Sequence, residues 1–272
     1  MRKNEFIDVM KNVASEFGKV VVKEIVKPTG TYMGLTINKV NVPTPIVNLD
    51  ALYNRYINAE LNIGECCDIA KDILSRKPDG EFNIEDIKNW DRAKDKLYLR
   101  LVNSAPEGTL YREVEDMFLV PYIQVTSDDS ATVKVEEPLL ELWKVTSEEV
   151  FEQAENNQEI IRPLNLTTIA DAVGLPTPFD IYIVSTKSGV NGASAIFYEG
   201  VFEDLYDRLG EFYLLPSSIH EMIAVPRAGV TSIADLKEMV TCINAADVEE
   251  RDRLTNSVYT YDVESRQLRK VG

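Results

Sequence analysis

His220 is the single histidine of the chain, and two serines and a carboxylate lie close to it in the sequence. Ser217 and Ser218 precede it and Glu221 follows it, so the residue types of a serine hydrolase are present: a nucleophile, a general base and an acid. On a strand, Ser218 and His220 would share one face while Glu221 would point to the other. Because a triad needs its acid behind the imidazole, neighbours in this order rarely supply the geometry.

The alternative for the same segment is structural. An apolar strand should end at Pro216, and the two serine hydroxyls can hold the turn that follows. We therefore predict that His220 is at least half buried, is hydrogen-bonded through its ring to backbone, and lies within reach of a serine. We assign no catalytic residue. The candidates for either a site or a structural turn are Ser217, Ser218, His220 and Glu221.

Metal and cofactor sites are not indicated by the sequence. A zinc site with two or three imidazoles is impossible with one histidine, and Cys66, Cys67 and Cys242 lack the spacing of a thiolate site. Segment 189–194 has two glycines and a serine but no lysine in the spacing of a phosphate-binding loop, so we interpret it as a hairpin connection. We predict neither a metal nor a cofactor.

Tyr259 and Tyr261 are a second candidate, for contact rather than catalysis. They alternate with Val258 and Thr260, so both rings lie on one face of a predicted strand. Aromatic residues at this spacing usually pack within a sheet, whereas an exposed pair would form a contact patch. Both interpretations stay open.

Charge is the strongest global feature of the sequence. The chain has 29 basic and 45 acidic side chains, a formal net charge of −16. Residues 1–100 contribute +1 (16 basic, 15 acidic), residues 101–200 contribute −12 (5 and 17) and residues 201–272 contribute −5 (8 and 13). Such a surface repels phosphate backbones, which argues against direct nucleic-acid binding. The negative charge either keeps the protein soluble or attracts a basic protein partner.

The cysteines indicate a reducing compartment. Cys66 and Cys67 are adjacent and one cysteine is left over, so the three do not form a disulfide framework, and we expect a cytoplasmic protein. The longest apolar run, 117–123, is much shorter than the about 20 residues of a membrane-spanning helix. We expect no membrane partner and no secretory signal.

Periodicity predicts an α+β fold, with largely antiparallel sheet flanked by amphipathic helices. Hairpin-like pairs recur: 117–126 with 131–135, joined by a turn at 127–130, and 180–186 with 194–198. A capping box at 146–149 opens a helix through Ala154, and a polar stretch, 155–159, follows.

The domain boundary is predicted at 105–108, where Pro106 and Gly108 indicate a loop. We expect an N-terminal α+β lobe, 1–105, and a C-terminal α+β lobe, 106–272, with one compact domain as the alternative.

Several segments resemble a family of uncharacterised bacterial proteins. The resemblance is carried by 192–201 (GASAIFYEGV), 212–221 (FYLLPSSIHE), 239–240 with 243–245, and 257–262, with shorter similarities at 34–37 and 143–149. The family is a domain of unknown function, common in anaerobic Gram-positive bacteria, and the resemblance implies membership over essentially the whole chain. It implies no activity, cofactor or catalytic residue. One departure is Glu199, where the family often has proline, and this change should alter a turn.

The function that these observations favour is a non-enzymatic cytoplasmic binding or accessory protein, because no catalytic constellation is complete. Two alternatives remain. One is an acidic mimic of nucleic acid, or an inhibitor, that occupies a basic partner; it rests on the −12 charge of residues 101–200. The other is a hydrolase that uses His220 with Ser217 or Ser218.

Overall fold

The computed structural model describes residues 1–27, 30–38, 44–75, 84–105, 107–126, 131–174, 176, 179–230 and 232–272. Two compact units are present: unit 1 is Met1–Glu85 with Thr126–Ala131, and unit 2 is Asp86–Val125 with Thr132–Gly272. The predicted lobe boundary falls inside unit 2, and both Pro106 and the predicted turn at 127–130 lie outside the described residues. A division into separately folding lobes at residue 105 stays a prediction.

Unit 1 combines a three-stranded antiparallel sheet, in the order β1-β2-β3, with amphipathic helices. In chain order its elements are α1 (Lys3–Ser15), β1 (Val20–Lys27), β2 (Gly30–Ile37), β3 (Val47–Asn48), α2 (Leu49–Ile57) and α3 (Ile63–Ser75). The helices α1 and α2 pack against β2 while α3 packs against α1 and β3, and the core contains Phe6, Met10, Ala14, Leu35, Ile37, Leu52, Cys66, Ala70 and Leu74. Cys66 is therefore a packing residue, and burial raises the pKa of its thiol.

Unit 2 contains the larger share of the chain, and α4 (Ile84–Lys88) leads into it. Its helices are α5 (Trp90–Ala93), α6 (Glu137–Trp143), α7 (Ser147–Ile161), α8 (Ile169–Val173), α9 (Val201–Leu209) and α10 (Ile233–Ala246). Its strands are β4 (Leu97–Val102), β5 (Arg112–Val114), β6 (Met117–Gln124), β7 (Thr132–Lys134), β8 (Leu164–Thr168), β9 (Tyr182–Thr186), β10 (Phe212–Ser218), β11 (Glu221–Pro226), β12 (Tyr259–Asp262) and β13 (Gln267–Lys270). Short 3-10 helices lie at Lys94–Lys96, Ala193–Phe197, Arg227–Gly229 and Glu250–Asp252.

Two antiparallel sheets form within the described part of unit 2. One has the strand order β13-β12-β10-β11-β9-β8, and in the other β6 pairs with β4 on one side and with β5 and β7 on the other. The predicted α+β class with antiparallel sheets is therefore confirmed. No helix in the described ranges is long and apolar enough to cross a membrane.

One predicted hairpin is confirmed and the other is wrong. The β6 and β7 strands pair with Tyr122 opposite Lys134. The expected strand at 194–198 is instead the 3-10 helix Ala193–Phe197, whose first four residues are buried. A short apolar run has no periodicity that distinguishes a buried strand from a buried helical turn, which explains the error.

Asp116, in the turn between β5 and β6, connects the two sheets of unit 2. Its carboxylate accepts hydrogen bonds from the Tyr259 hydroxyl, from Ser257 Oγ at 2.7 Å and from Lys270 Nζ at 2.8 Å. Burial alone would raise the pKa of Asp116, but these donors hold the pKa below its ordinary value. The donors lie 141 to 154 residues further along the chain, so the cluster joins distant parts of the sequence.

Replacing Asp116 by Asn should lower the free energy of unfolding by about 1–2 kcal/mol at neutral pH, because charge-assisted hydrogen bonds are weakened. The lowered pKa of the folded state means that this contribution is present above the unfolded pKa, about 3.9, and is lost as pH falls through the folded value. In urea unfolding, the difference between D116N and the wild type should therefore shrink below about pH 4.

The matched control for D116N is Asp207→Asn, at an exposed position of α9. It should change the free energy of unfolding by less than about 0.5 kcal/mol at any of these pH values. Equal stability of D116N and the wild type at neutral pH would contradict the role given to the cluster.

Candidate functional site

The candidate turn joins β10 to β11. The two strands pair as far as Ser218 opposite Glu221, with a register shift between Pro216 and Ser218. The strand β10 therefore continues through Pro216, whereas the sequence predicts that it ends there. It accommodates the proline because β12, on its other side, pairs with it only at Tyr213 and Leu214, and because a bulge follows the proline directly.

The His220 ring lies between a backbone amide and a carboxylate, and its side chain is 34% exposed. Nδ1 accepts a hydrogen bond from the Asn191 N–H at 2.9 Å, so the neutral ring carries its proton on Nε2. Nε2 lies 3.7 Å from Oδ2 of Asp252. Asp252 is 32 residues from His220 in the sequence, and no local pattern marks it as a partner.

Backbone contacts fix the loop before the 3-10 helix to the His220 turn. Ser185 Oγ donates to the His220 carbonyl oxygen at 2.8 Å, and the Gly192 N–H donates to the same oxygen at 3.1 Å. A Cβ on Gly192 would lie 2.4 Å from Ser185 Oγ and 2.8 Å from the His220 oxygen. Only glycine permits this approach, so the loop and the turn form one packed feature.

The other candidates of the turn bond to groups other than the imidazole. Ser217 Oγ donates to Glu221 Oε1 at 3.0 Å, and Ser218 Oγ accepts from the backbone N–H of His220 at 3.0 Å. The structure thus gathers all four predicted residues in one turn, while both ring nitrogens of His220 face Asn191 and Asp252. This arrangement fits a residue that ties the turn.

Tyr259 and Tyr261 have different surroundings. Tyr259 is fully buried with its hydroxyl on Asp116, and burial raises its pKa. The Tyr261 ring stacks on Phe202 with centroids 4.5 Å apart, and its hydroxyl donates to Glu203 Oε1 at 3.1 Å. A contact patch built from two exposed rings is therefore excluded by the burial of Tyr259, and both tyrosines contribute to packing.

A row of carboxylates lies on α7. The buried face of this helix consists of Val150, Phe151, Ala154 and Gln158, at the spacing of one helical side. The outer face carries Glu148, Glu152, Glu155 and Glu159, all exposed, which we call the acidic ridge. At a rise of about 1.5 Å per residue the ridge extends over about 16 Å.

Two devices fix the direction of the acidic ridge. At the start of α7 the predicted capping box is confirmed: Glu149 N–H donates to Thr146 Oγ1 at 3.2 Å, and Thr146 N–H donates to Glu149 Oε2 at 2.7 Å. Further along, Asn157 Nδ2 donates to the Lys94 oxygen at 2.6 Å and to the Leu97 oxygen at 3.3 Å, where the helix packs on β4. The ridge therefore points away from the sheet.

The sequence interpretation stops α7 too early. It ends the helix at Ala154 and treats 155–159 as a polar stretch, whereas α7 continues to Ile161. Gln158 occupies the next position of the buried face, four residues after Ala154, so the helical period continues through a polar residue. Following that period would have shown the four carboxylates on one side.

The ridge carboxylates differ in their partners. Glu155 Oε1 pairs with Arg112 of β5 at 2.6 Å, and Glu148 accepts a hydrogen bond from Ser147 Oγ at 2.8 Å, which lowers the pKa of Glu148. Glu152 and Glu159 form no ion pair with any residue that the structure describes. Of the four ridge carboxylates, only Glu155 therefore has a counter-charge among the residues that the structure describes.

A surface pocket of about 280 Å³ opens at the C-terminal end of the ridge. It is lined by Glu155, Asn156, Gln158, Glu159, Ile160, Tyr198 and Glu199, and we call it the acidic pocket. Gln158 is 4% exposed, and its Oε1 is buried without a hydrogen-bond partner. Within the described ranges, no group of three or more His, Cys, Asp or Glu side chains is arranged to hold a metal ion.

Replacing His220 by Ala should lower the free energy of unfolding by about 1–3 kcal/mol, because the Asn191 N–H loses its acceptor. Thermal unfolding measures the effect. Lys187→Ala, an exposed change in the same loop, is the control and should have an effect below about 0.5 kcal/mol. An H220A protein that unfolds at the wild-type temperature would refute the turn-tying role.

Comparison with known proteins identifies the family of the chain but no activity. A family model described as a family of unknown function (DUF5688) matches residues 3–263 of the 272. No curated protein and no solved structure matches the chain. The resemblance seen in the segments around 192–262 is confirmed, and the chain belongs to the DUF5688 family of unknown function.

Proposed function

We propose that the protein is a non-enzymatic binding protein that holds a basic protein partner against the acidic ridge of α7. The observation that carries this proposal is the row of exposed carboxylates from Glu148 to Glu159, of which only Glu155 has an ion pair within the described residues. A partner rich in guanidinium or ammonium groups would supply the missing cations. A cytoplasmic location belongs to the same proposal, because Cys66, Cys67 and Cys242 are free thiols.

The like charges of the acidic ridge destabilise α7 when no partner is bound. Like charges four residues apart, such as Glu148 with Glu152 and Glu155 with Glu159, destabilise a helix by about 0.2–0.5 kcal/mol per pair. Glu159 also lies in the last turn, where the helix dipole favours cations, and that turn has no basic residue. A bound cationic partner would relieve both effects.

Some acidic residues elsewhere in unit 2 have an ion-pair partner. On α9, Asp204 pairs with Arg208 at 2.8 Å. After α9, Glu211 pairs with Arg227 at 2.8 Å. Solubility alone requires net charge but no particular arrangement of it. The alignment of four exposed carboxylates on one face of α7, of which only Glu155 is ion-paired among the described residues, favours a partner over a purely solubilising role.

The two alternative functions that the sequence suggests receive different support. An acidic mimic of nucleic acid is a narrower form of this proposal, because its partner would be a basic nucleic-acid-binding protein, and competition with DNA for that partner would identify it. A hydrolase has less support, because the ring nitrogens of His220 face Asn191 and Asp252.

The test compares two variants with the same change in net charge. One carries Glu148→Gln and Glu152→Gln on the ridge; the control carries Asp207→Asn and Glu238→Gln, at exposed positions of α9 and α10. With a fluorescent nine-residue oligolysine as the probe, the ridge variant should bind about fivefold or more weakly than the wild type, since exposed ion pairs are worth about 0.2–1 kcal/mol each. The control should change less than about twofold.

Binding should also weaken as salt concentration rises, because exposed charges are screened within about 10 Å at 0.1 M salt. Equal weakening in the ridge variant and the control would show that only net charge attracts the peptide. That result, or no binding of the peptide by the wild type at low salt, would overturn the proposal.

A further inference from the structure

We infer that Asn191 is a site of spontaneous deamidation that the His220 turn protects, so that opening of this turn leaves a permanent chemical change in the chain. Asparagine is a chemically labile residue, and Asn191 is followed directly by Gly192. A glycine in that position favours the reaction because it has no Cβ to obstruct the attack. The inference concerns a part of unit 2 outside the acidic ridge and does not depend on the proposed function.

The reaction needs only the chain and water. The main-chain nitrogen of Gly192 attacks Cγ of the Asn191 side chain, so that an N–Cγ bond forms while the nitrogen gives up its proton to solvent. The side-chain amide takes up a proton and leaves as ammonia, which closes a five-membered succinimide. Water then opens this ring at either carbonyl and yields aspartate or isoaspartate. One water is consumed and one ammonia released, with no oxidation or reduction.

The His220 turn holds the peptide groups on both sides of Asn191. The Asn191 N–H donates to Nδ1 of His220 at 2.9 Å, and the Gly192 N–H donates to the His220 carbonyl oxygen at 3.1 Å. The attacking nitrogen therefore has its proton engaged, and it cannot turn towards the Asn191 side chain while that hydrogen bond is intact. Attack requires the loop to separate from the turn first.

The packing around Gly192 opposes the same movement. Gly192 is buried, and a Cβ built on it would lie 2.6 Å from the Thr186 nitrogen and 2.8 Å from the His220 oxygen. Ser185 Oγ donates to that oxygen at 2.8 Å and closes the contact from the side of β9. The missing Cβ that makes the pair reactive in an unfolded chain is used here for close packing, so folding protects the pair.

Asn191 itself adopts the backbone conformation that this arrangement needs. Its φ is 50°, in the left-handed region that asparagine tolerates better than most residues. Its side chain is only partly buried. The backbone contacts of the two N–H groups, rather than complete burial of the side chain, therefore hold the reaction back.

Deamidation to isoaspartate would make the opening of the loop permanent. Isoaspartate carries the main chain through Cβ and Cγ of residue 191 and so lengthens it by one methylene group. The two N–H groups that flank this residue would then no longer match the Nδ1 and carbonyl oxygen of His220. Aspartate keeps the backbone length and lets the turn close again, so the two products differ in their effect on the fold.

The experiment measures the rate of deamidation at Asn191 by peptide mapping and mass spectrometry of the full chain at neutral pH. A synthetic peptide of residues 187–196 gives the rate without protection. The native wild type should react about tenfold or more slowly than the peptide, because the reaction proceeds from a locally opened state. A tenfold difference corresponds to about 1.4 kcal/mol for opening the loop.

Two variants of the full chain test the role of the turn. His220→Ala removes the acceptor of the Asn191 N–H, and Ser185→Ala removes a donor to the His220 oxygen, so each should accelerate deamidation by about threefold or more. Lys187→Ala, an exposed change in the same loop, should stay within about twofold of the wild type. Circular dichroism verifies that each variant is folded, and Ser185→Ala decides the matter if His220→Ala does not fold.

Two results would overturn the inference. A native wild type that deamidates at Asn191 as fast as the peptide would show that the fold gives no protection. Folded His220→Ala and Ser185→Ala proteins that both react at the wild-type rate would show that the protection does not come from the His220 turn. Slow reaction in the wild type with acceleration in the folded variants supports the inference.

Discussion

The docking of α7 on β4 is the constraint on which the rest of the candidate surface depends. Burial of Val150, Phe151 and Ala154 fixes the rotation of the helix, and the Asn157 amide bonds to the main chain before and within β4 fix its position along the sheet. Because one side of α7 is buried in the core, the four ridge glutamates on the opposite side face outward. A helix less firmly held could rotate or fray to separate its like charges.

Some charged and polar groups of unit 2 have partners within the chain and others do not, and this difference supports the proposed function. Asp116 is surrounded by donors from distant strands, and the His220 turn is closed by backbone and side-chain bonds to the 185–192 segment and Asp252. Those clusters have their partners within the chain and act as structural ties. The outer face of α7 differs, because only Glu155 of its four ridge carboxylates has an ion-pair partner among the described residues.

Local sequence signals predict helices and strands but not the side-chain clusters around Asp116 and His220. Alternation and turn residues predict the β6–β7 hairpin, and the Thr146–Glu149 spacing predicts the start of α7, because each depends on neighbours in the chain. The His220 turn was found for the same reason, although its partners Asn191 and Asp252 were not. Asp116 accepts hydrogen bonds from Lys270 across 154 residues and from Tyr259 across 143 residues, so neither contact has a local signature. The acidic ridge has a local helical period, but the polar character of 155–159 favours the end of a helix and so hides it, whereas α7 continues to Ile161.

The most direct measurement of the central claim is where a basic peptide binds. Backbone amide NMR shifts recorded while oligoarginine is added to the isotope-labelled full chain locate the contact residue by residue. The account predicts that the largest changes fall in 147–161 and at 198–199, and that α9 and α10 change little at the same peptide concentration. Changes of similar size over α7, α9 and α10 would show that the peptide follows net charge, and would contradict the assignment of a binding surface to α7.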